Sequence, residues 1–133
     1  MTVDDLIAEL QSRSKPSRAL DRDIALLVHP EWRVSRDKYW SEGNHDEWCI
    51  RRDGRLDVPC DEALPFYTGS IDAALTLLPE MWWLQHLGQI TKGWRVRVET
   101  DGISVPKETH PLRAATPSLA ICIASLLDRQ ATT

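Results

Sequence analysis

One segment of the sequence alternates apolar and charged residues in a way that could build an anion-binding surface. The run Trp94–Glu99 has the order Trp-Arg-Val-Arg-Val-Glu, which is the period-two pattern of a β-strand with one buried face. Its two arginines would share a face, and a guanidinium group matches the geometry of a phosphate or carboxylate. The preceding segment adds His86 and Trp82, and an indole ring offers a π-surface for a nucleobase.

We therefore predict a site for a nucleotide-like anion on this face. The predicted ligand-binding residues are Trp82, His86, Arg95, Arg97 and, from another segment, Arg51, with Arg52 as its alternative. A second interpretation stays open, in which the arginines are solvated or paired with Glu99 and Asp101 and Trp82 packs in the core. Charged alternation on an exposed sheet face is common, so this second interpretation is favoured by the pattern alone.

A hairpin would bring these side chains together. We predict strands over 82–87 and 94–100, joined by a loop from Gly88 to Gly93 that pairs Leu87 with Trp94. This register gives an apolar face formed by Trp83, Leu87, Trp94, Val96 and Val98. The opposite, mixed face holds Trp82, Leu84, His86, Arg95, Arg97 and Glu99. A slip of one residue would exchange the faces of one strand, so the predicted site depends on the register.

Other reactive residues form no recognisable catalytic or metal-binding pattern. His45, Cys49 and Cys60 could be zinc ligands, but the paired Cys-x-x-Cys spacing typical of structural zinc sites is missing. The glycines occur singly, and no Gly-x-Ser-x-Gly segment surrounds a serine nucleophile. His110 could reach a ligand from a long irregular segment, although an ordinary loop histidine is the commoner case. We predict no catalytic residues, no metal and no cofactor.

Size and composition predict a single domain, 1–133. Of the 133 residues, 42% are hydrophobic and 27% are charged, as in an ordinary globular domain with its own core. A net charge of −4 disfavours binding to duplex nucleic acid, which usually needs a basic surplus. Three cysteines are unlike the even disulfide framework of small secreted domains. With no visible signal peptide and no apolar run long enough to span a membrane, we expect a cytoplasmic protein.

Capping residues and hydrophobic spacing predict four helices. Their starts are expected at residues that favour the N-cap position: Thr2, Ser17, Ser70 and Thr116. The last helix is apolar on almost all sides and should be buried. Between the second and third helices the pattern is weaker, with one short strand predicted over Glu47–Arg51. Apart from this strand and Arg51, segment 33–63 receives no predicted role, and 101–115 is predicted to be a loop.

Three segments carry a resemblance to a known family. They cover residues 15–24, 67–83 and 115–124. The middle segment is the most specific, because a helix followed by Pro-Glu and two tryptophans is an unusual order. The last has the order Thr-Pro-x-Leu-Ala-x-Cys. Together these segments resemble the phage ABA sandwich domain family of bacteriophages and prophages. The resemblance implies a three-layer α/β/α arrangement and a phage or prophage origin, and it brings no established activity or catalytic residue.

Together, residues and resemblance predict an α/β (α+β) fold, a three-layer α/β/α sandwich with a small, mainly antiparallel sheet. The preferred functional hypothesis is a phage- or prophage-encoded, non-enzymatic protein that binds a small anionic ligand and sequesters a nucleotide signal of host immunity. The alternative is a structural or protein-interaction module without a ligand, acting through a surface rich in tryptophan, which also favours a homo-oligomer. A hydrolase of such nucleotides is the third hypothesis.

Overall fold

The computed structural model describes residues 2–37, 47–52, 62–79, 82–90, 93–100 and 114–132. The chain divides into two compact units, a first unit formed by Met1–Ser17 and Phe66–Thr133 and a second unit formed by Arg18–Pro65. Each unit combines helices with antiparallel strands. The predicted mixed α+β class is therefore confirmed, whereas the single domain and the three-layer arrangement stay predictions.

The described elements are, in chain order, α1 (Val3–Ser12), α2 (Arg18–Val28), β1 (Arg33–Asp37), β2 (Glu47–Arg51), β3 (Glu62–Ala63), α3 (Ile71–Leu75), β4 (Trp82–Ile90), β5 (Gly93–Thr100) and α4 (Pro117–Thr132). Three of the predicted caps are confirmed by hydrogen bonds. Thr2 forms a reciprocal capping box with Asp5, and these hydrogen bonds lower the pKa of the Asp5 carboxyl. The hydroxyl oxygens of Ser70 and Thr116 accept bonds from the backbone of Ala73 and Leu119, respectively.

The first unit is organised around α4. This helix contacts α1, α3 and β5, and its apolar residues are buried on nearly all sides, as predicted. The fully buried large side chains of α4 are Leu119, Ile121, Ile123 and Leu126. On β5, Val96 and Val98 are buried, so one face of this strand belongs to the core. That burial leaves the alternate residues of β5 on the opposite face.

The second unit is a three-stranded antiparallel sheet with α2. Its strand order is β1-β2-β3, and Arg36 lies opposite Trp48 in the pairing of β1 with β2. The predicted strand Glu47–Arg51 is confirmed, whereas β1 lies in a segment without a predicted role. β1 contains a single apolar residue, Val34, paired with the buried Ile50. One apolar position is too few for period-two alternation to be recognised.

The cysteines bear on the expected cytoplasmic location. Cys49 is disulfide-bonded, so the cysteine count no longer argues for a reducing compartment. Cys122 is free and buried, and its thiol donates to the Tyr67 carbonyl oxygen at 3.2 Å. In the part of the chain that the structure describes, no helix has the length and hydropathy needed to cross a bilayer.

Candidate anion-binding face

The predicted site lies on a hairpin whose strands are longer than predicted. Leu87 of β4 is opposite Val96 of β5, rather than opposite Trp94, and pairing continues to Ile90 and Gly93. The predicted register is therefore wrong by two residues. Gly93 helps to explain why pairing continues this far, because its φ of 147° is a backbone conformation that residues other than glycine rarely adopt.

A β-bulge changes which side chains share a face. The register shifts between Leu84 and His86, so that Leu84 is opposite Val98 while His86 is opposite Arg97. One extra residue in a strand moves every residue beyond it to the other face. Trp82, two residues from Leu84, is therefore on the face of the buried Val98, and the prediction that it joins the arginines is wrong.

Trp83 takes the position predicted for Trp82. It is opposite Glu99, on the same face as the next pair but one, His86 and Arg97, and it is 41% exposed. We call this surface the arginine face and define it by Trp83, His86, Arg95 and Arg97. The structure thus brings three of the five predicted ligand-binding residues onto one face and adds an exposed indole ring that the sequence had placed elsewhere.

The imidazole of His86 lies over the backbone of Gly88. A Cβ atom built at Gly88 would be 2.6 Å from His86 Nε2, and Gly88 is opposite Arg95. His86 is itself opposite Arg97. Its ring therefore extends along β4 from the position opposite Arg97 towards the position opposite Arg95. The absence of a side chain at Gly88 therefore makes room for the His86 imidazole on the face that carries the two arginines.

Both arginines of this face have buried donors. The Nε atoms of Arg95 and Arg97 are inaccessible to solvent and have no hydrogen-bond partner within the described ranges. Neither side chain forms an ion pair with another described residue. A buried N–H group usually has a partner, and leaving it without one costs free energy. Within the part of the chain that the structure describes, these two donors are therefore left unsatisfied.

No family model, curated protein or solved structure matches the chain. The resemblance to the phage ABA sandwich family therefore stays a prediction. What the arginine face does has to be inferred from its own geometry, charge and burial.

The fifth predicted ligand-binding residue, Arg51, lies in the second unit. It is only 6% exposed, and its Nη1 donates to the Ser35 hydroxyl at 2.9 Å. Its alternative, Arg52, forms an ion pair with Glu62 and lies over the Trp32 ring with Cζ 5.8 Å from the centroid. Both guanidinium groups thus have partners inside the sheet of the second unit.

The other reactive residues give a partial picture. His45, Cys60 and His110 lie outside the described residues, and Cys49 is disulfide-bonded, so its sulfur is not a thiolate ligand in this structure. Among the residues that are described, no three His, Cys, Asp or Glu side chains form a group that could hold a metal ion. Ser70 caps α3, which is the role predicted for it.

Adding a methyl group at Gly88 should displace His86 without unfolding the hairpin. In Gly88→Ala the new Cβ meets the end of a flexible side chain rather than backbone, so we expect stability to change by less than about 1 kcal/mol. The imidazole should leave its position, which would appear as altered His86 ring chemical shifts in NMR spectra. Gln89→Ala is the matched control, because Gln89 is exposed and opposite Trp94 on the other face. Unchanged His86 shifts in Gly88→Ala would contradict the described packing.

Proposed function

We propose that the arginine face binds a small anionic, nucleotide-like ligand and holds it without transforming it. The observation that supports this most directly is the pair of buried Nε donors on Arg95 and Arg97. Because these atoms are closed to solvent, an anion reaches them only when the side chains that cover them move aside. Its oxygen would then replace the hydrogen bonds lost on burial, and charge-assisted bonds of this kind are stronger than neutral ones. A phosphate group is the best match, since its several oxygens can accept from both arginines and from His86.

The net charge of the chain supports a local site rather than a diffuse one. At −4 the protein as a whole repels anions, so long-range attraction would not concentrate a phosphate ligand near it. Binding then requires donors that are held in place. The pairing of β4 with β5 fixes the backbone positions of the residues of the arginine face. Less conformational entropy is then lost when a ligand binds.

Trp83 supports a ligand with an aromatic base. Its partner Glu99 is two residues along β5 from Arg97, a separation of about 7 Å in a β-strand. A ligand with a phosphate at one end and a base at the other could therefore reach the guanidinium groups and the exposed indole together. Stacking of a base on an aromatic side chain contributes roughly 1–3 kcal/mol.

The wider role that we propose is sequestration of a nucleotide signal of host immunity by a phage or prophage protein. This part depends on the family resemblance described above, and it needs only tight binding and no turnover. Assembly of the chain into a homo-oligomer belongs to the same proposal. Size-exclusion chromatography with light scattering would measure the oligomeric state directly.

Neutralising either arginine should weaken nucleotide binding. In calorimetric titrations with a panel of adenosine monophosphate, cyclic nucleotides and ADP-ribose, we expect Arg95→Gln and Arg97→Gln each to raise Kd about ten-fold, equivalent to about 1.4 kcal/mol. Trp83→Ala should weaken nucleotide binding by a similar factor and leave the binding of inorganic phosphate unchanged, because only the base contacts the indole.

Arg13→Gln is the control for net charge. Arg13 is exposed and follows α1 in the same unit, and its ion pair with Glu9 is long, at 3.6 Å, so this variant should bind like the parent. An equal loss in Arg13→Gln and Arg97→Gln would contradict a specific site. Failure of the whole panel to bind would favour the interaction module, and recovery of cleaved nucleotide by mass spectrometry would favour the hydrolase.

A further inference from the structure

The second unit holds one tryptophan with two arginines over its ring. Trp48 is half-buried in β2, and the Cζ atom of Arg36, its partner in β1, lies 5.5 Å from the ring centroid. Arg22 of α2 also lies over the ring, with its Cζ atom 5.7 Å from the centroid. Both distances are within the range of cation–π interactions. A helix and a strand thus bring two positive charges to the same indole.

This arrangement leaves most of the guanidinium donors available. A guanidinium has five N–H donors, and a cation–π contact attracts its charge without using a hydrogen-bond acceptor. Arg36 is exposed and forms no hydrogen bond or ion pair with any other residue that the structure describes. Arg22 has one ion pair, with Asp23, at 3.6 Å, which is too long for a hydrogen bond.

Two guanidinium groups at one ring repel each other, and an anion that contacts both would offset this repulsion. We infer that Arg22, Trp48 and Arg36 form a second anion-binding site, and that its ligand is a phosphate monoester group. A phosphate monoester carries a charge of about −1.5 to −2 at neutral pH, which matches two guanidinium groups better than a singly charged carboxylate does. The site uses none of the residues of the arginine face, so either site can exist without the other.

The test uses the full chain with the arginine face disabled. In the Arg95→Gln/Arg97→Gln background, inorganic phosphate is titrated while the Nε–Hε signals of the arginines are followed by NMR. We expect saturable shifts for Arg22 and Arg36. Adding Arg36→Gln should raise Kd about ten-fold, as for the loss of one charge-assisted contact, and Trp48→Ala should weaken binding while Trp48→Phe retains it.

Arg33→Gln is the matched control. Arg33 is exposed on the same strand as Arg36, three residues away and therefore on the opposite face, and the substitution removes the same charge. We expect its Kd to stay within two-fold of the parent. Equal weakening by Arg33→Gln and Arg36→Gln, or shifts that chloride reproduces at the same ionic strength, would overturn the proposal.

Two further ligands identify the source of the phosphate monoester. A phosphoserine peptide and adenosine monophosphate are titrated in the same background as inorganic phosphate. Tighter binding of the peptide assigns the site to a phosphorylated protein segment, and tighter binding of the nucleotide assigns it to a small molecule. If both bind at least ten-fold more weakly than inorganic phosphate, the site does not accept an esterified phosphate and the inference is wrong.

Discussion

Arg18→Ala should destabilise the second unit by about 3 kcal/mol, which is near the lower end of the cost of breaking a buried ion pair. The Asp21 carboxylate, 1% exposed, accepts from Arg18 Nη1 at 2.8 Å. The same guanidinium donates to the carbonyl oxygens of Leu64, at 2.8 Å, and Pro65, at 3.1 Å. Arg18 therefore connects the first turn of α2 to the segment that follows β3. In urea denaturation the midpoint should fall by roughly 1–3 M.

Two variants separate the charge of Arg18 from its geometry. Arg18→Lys keeps the positive charge but lacks the planar donor array that reaches a carboxylate and two carbonyls together, so we expect it to lose about half of the stability lost in Arg18→Ala. Arg18→Ala/Asp21→Asn should be more stable than Arg18→Ala, because it also removes the buried charge. Arg33→Ala, at an exposed position, should change stability by less than about 0.5 kcal/mol. If Arg18→Ala matched Arg33→Ala, the buried pair would contribute nothing to folding.

Much of the fold was predictable because its signals are local. Thr2, Ser70 and Thr116 are residues whose side chains accept from the backbone three residues later, and each caps a helix. The final helix was predicted to be buried because it is apolar on all sides, and α4 is the centre of the first unit. The two-unit division had no such signal, since the boundary at Ser17 and Arg18 lies between two helices of ordinary composition.

The candidate site was predicted in part, for a reason that lies in the backbone. Alternation along Trp94–Glu99 placed Arg95 and Arg97 on one face, and the structure agrees. The tryptophan was misassigned because the register shift between Leu84 and His86 depends on how the two strands pair. Neither glycine nor proline marks that position in the sequence. The two arginines over Trp48 were missed as well, because Arg22 and Arg36 meet only through the packing of α2 near β1.

Gly93→Ala should be the most damaging small substitution in the hairpin, costing roughly 3 kcal/mol. An alanine at a φ of 147° is strained, and its Cβ would lie 2.5 Å from the Ala114 carbonyl oxygen. That oxygen accepts from the Trp94 backbone N–H at 2.8 Å, and Ala114 N–H donates back at 3.3 Å. The backbone at Ala114 cannot move away without losing these bonds, so steric relief and hydrogen bonding oppose each other.

The loss should be local enough to measure at one amide. Hydrogen exchange at Trp94 N–H should accelerate in Gly93→Ala by more than the change in global stability requires, because its acceptor is displaced. Gly88→Ala, the same substitution elsewhere in the hairpin, should leave that amide protected. Since Arg95 follows Trp94 directly, Gly93→Ala should also weaken nucleotide binding to the arginine face. A variant that lost its Trp94 protection but kept nucleotide binding would place the ligand contacts somewhere other than on β5.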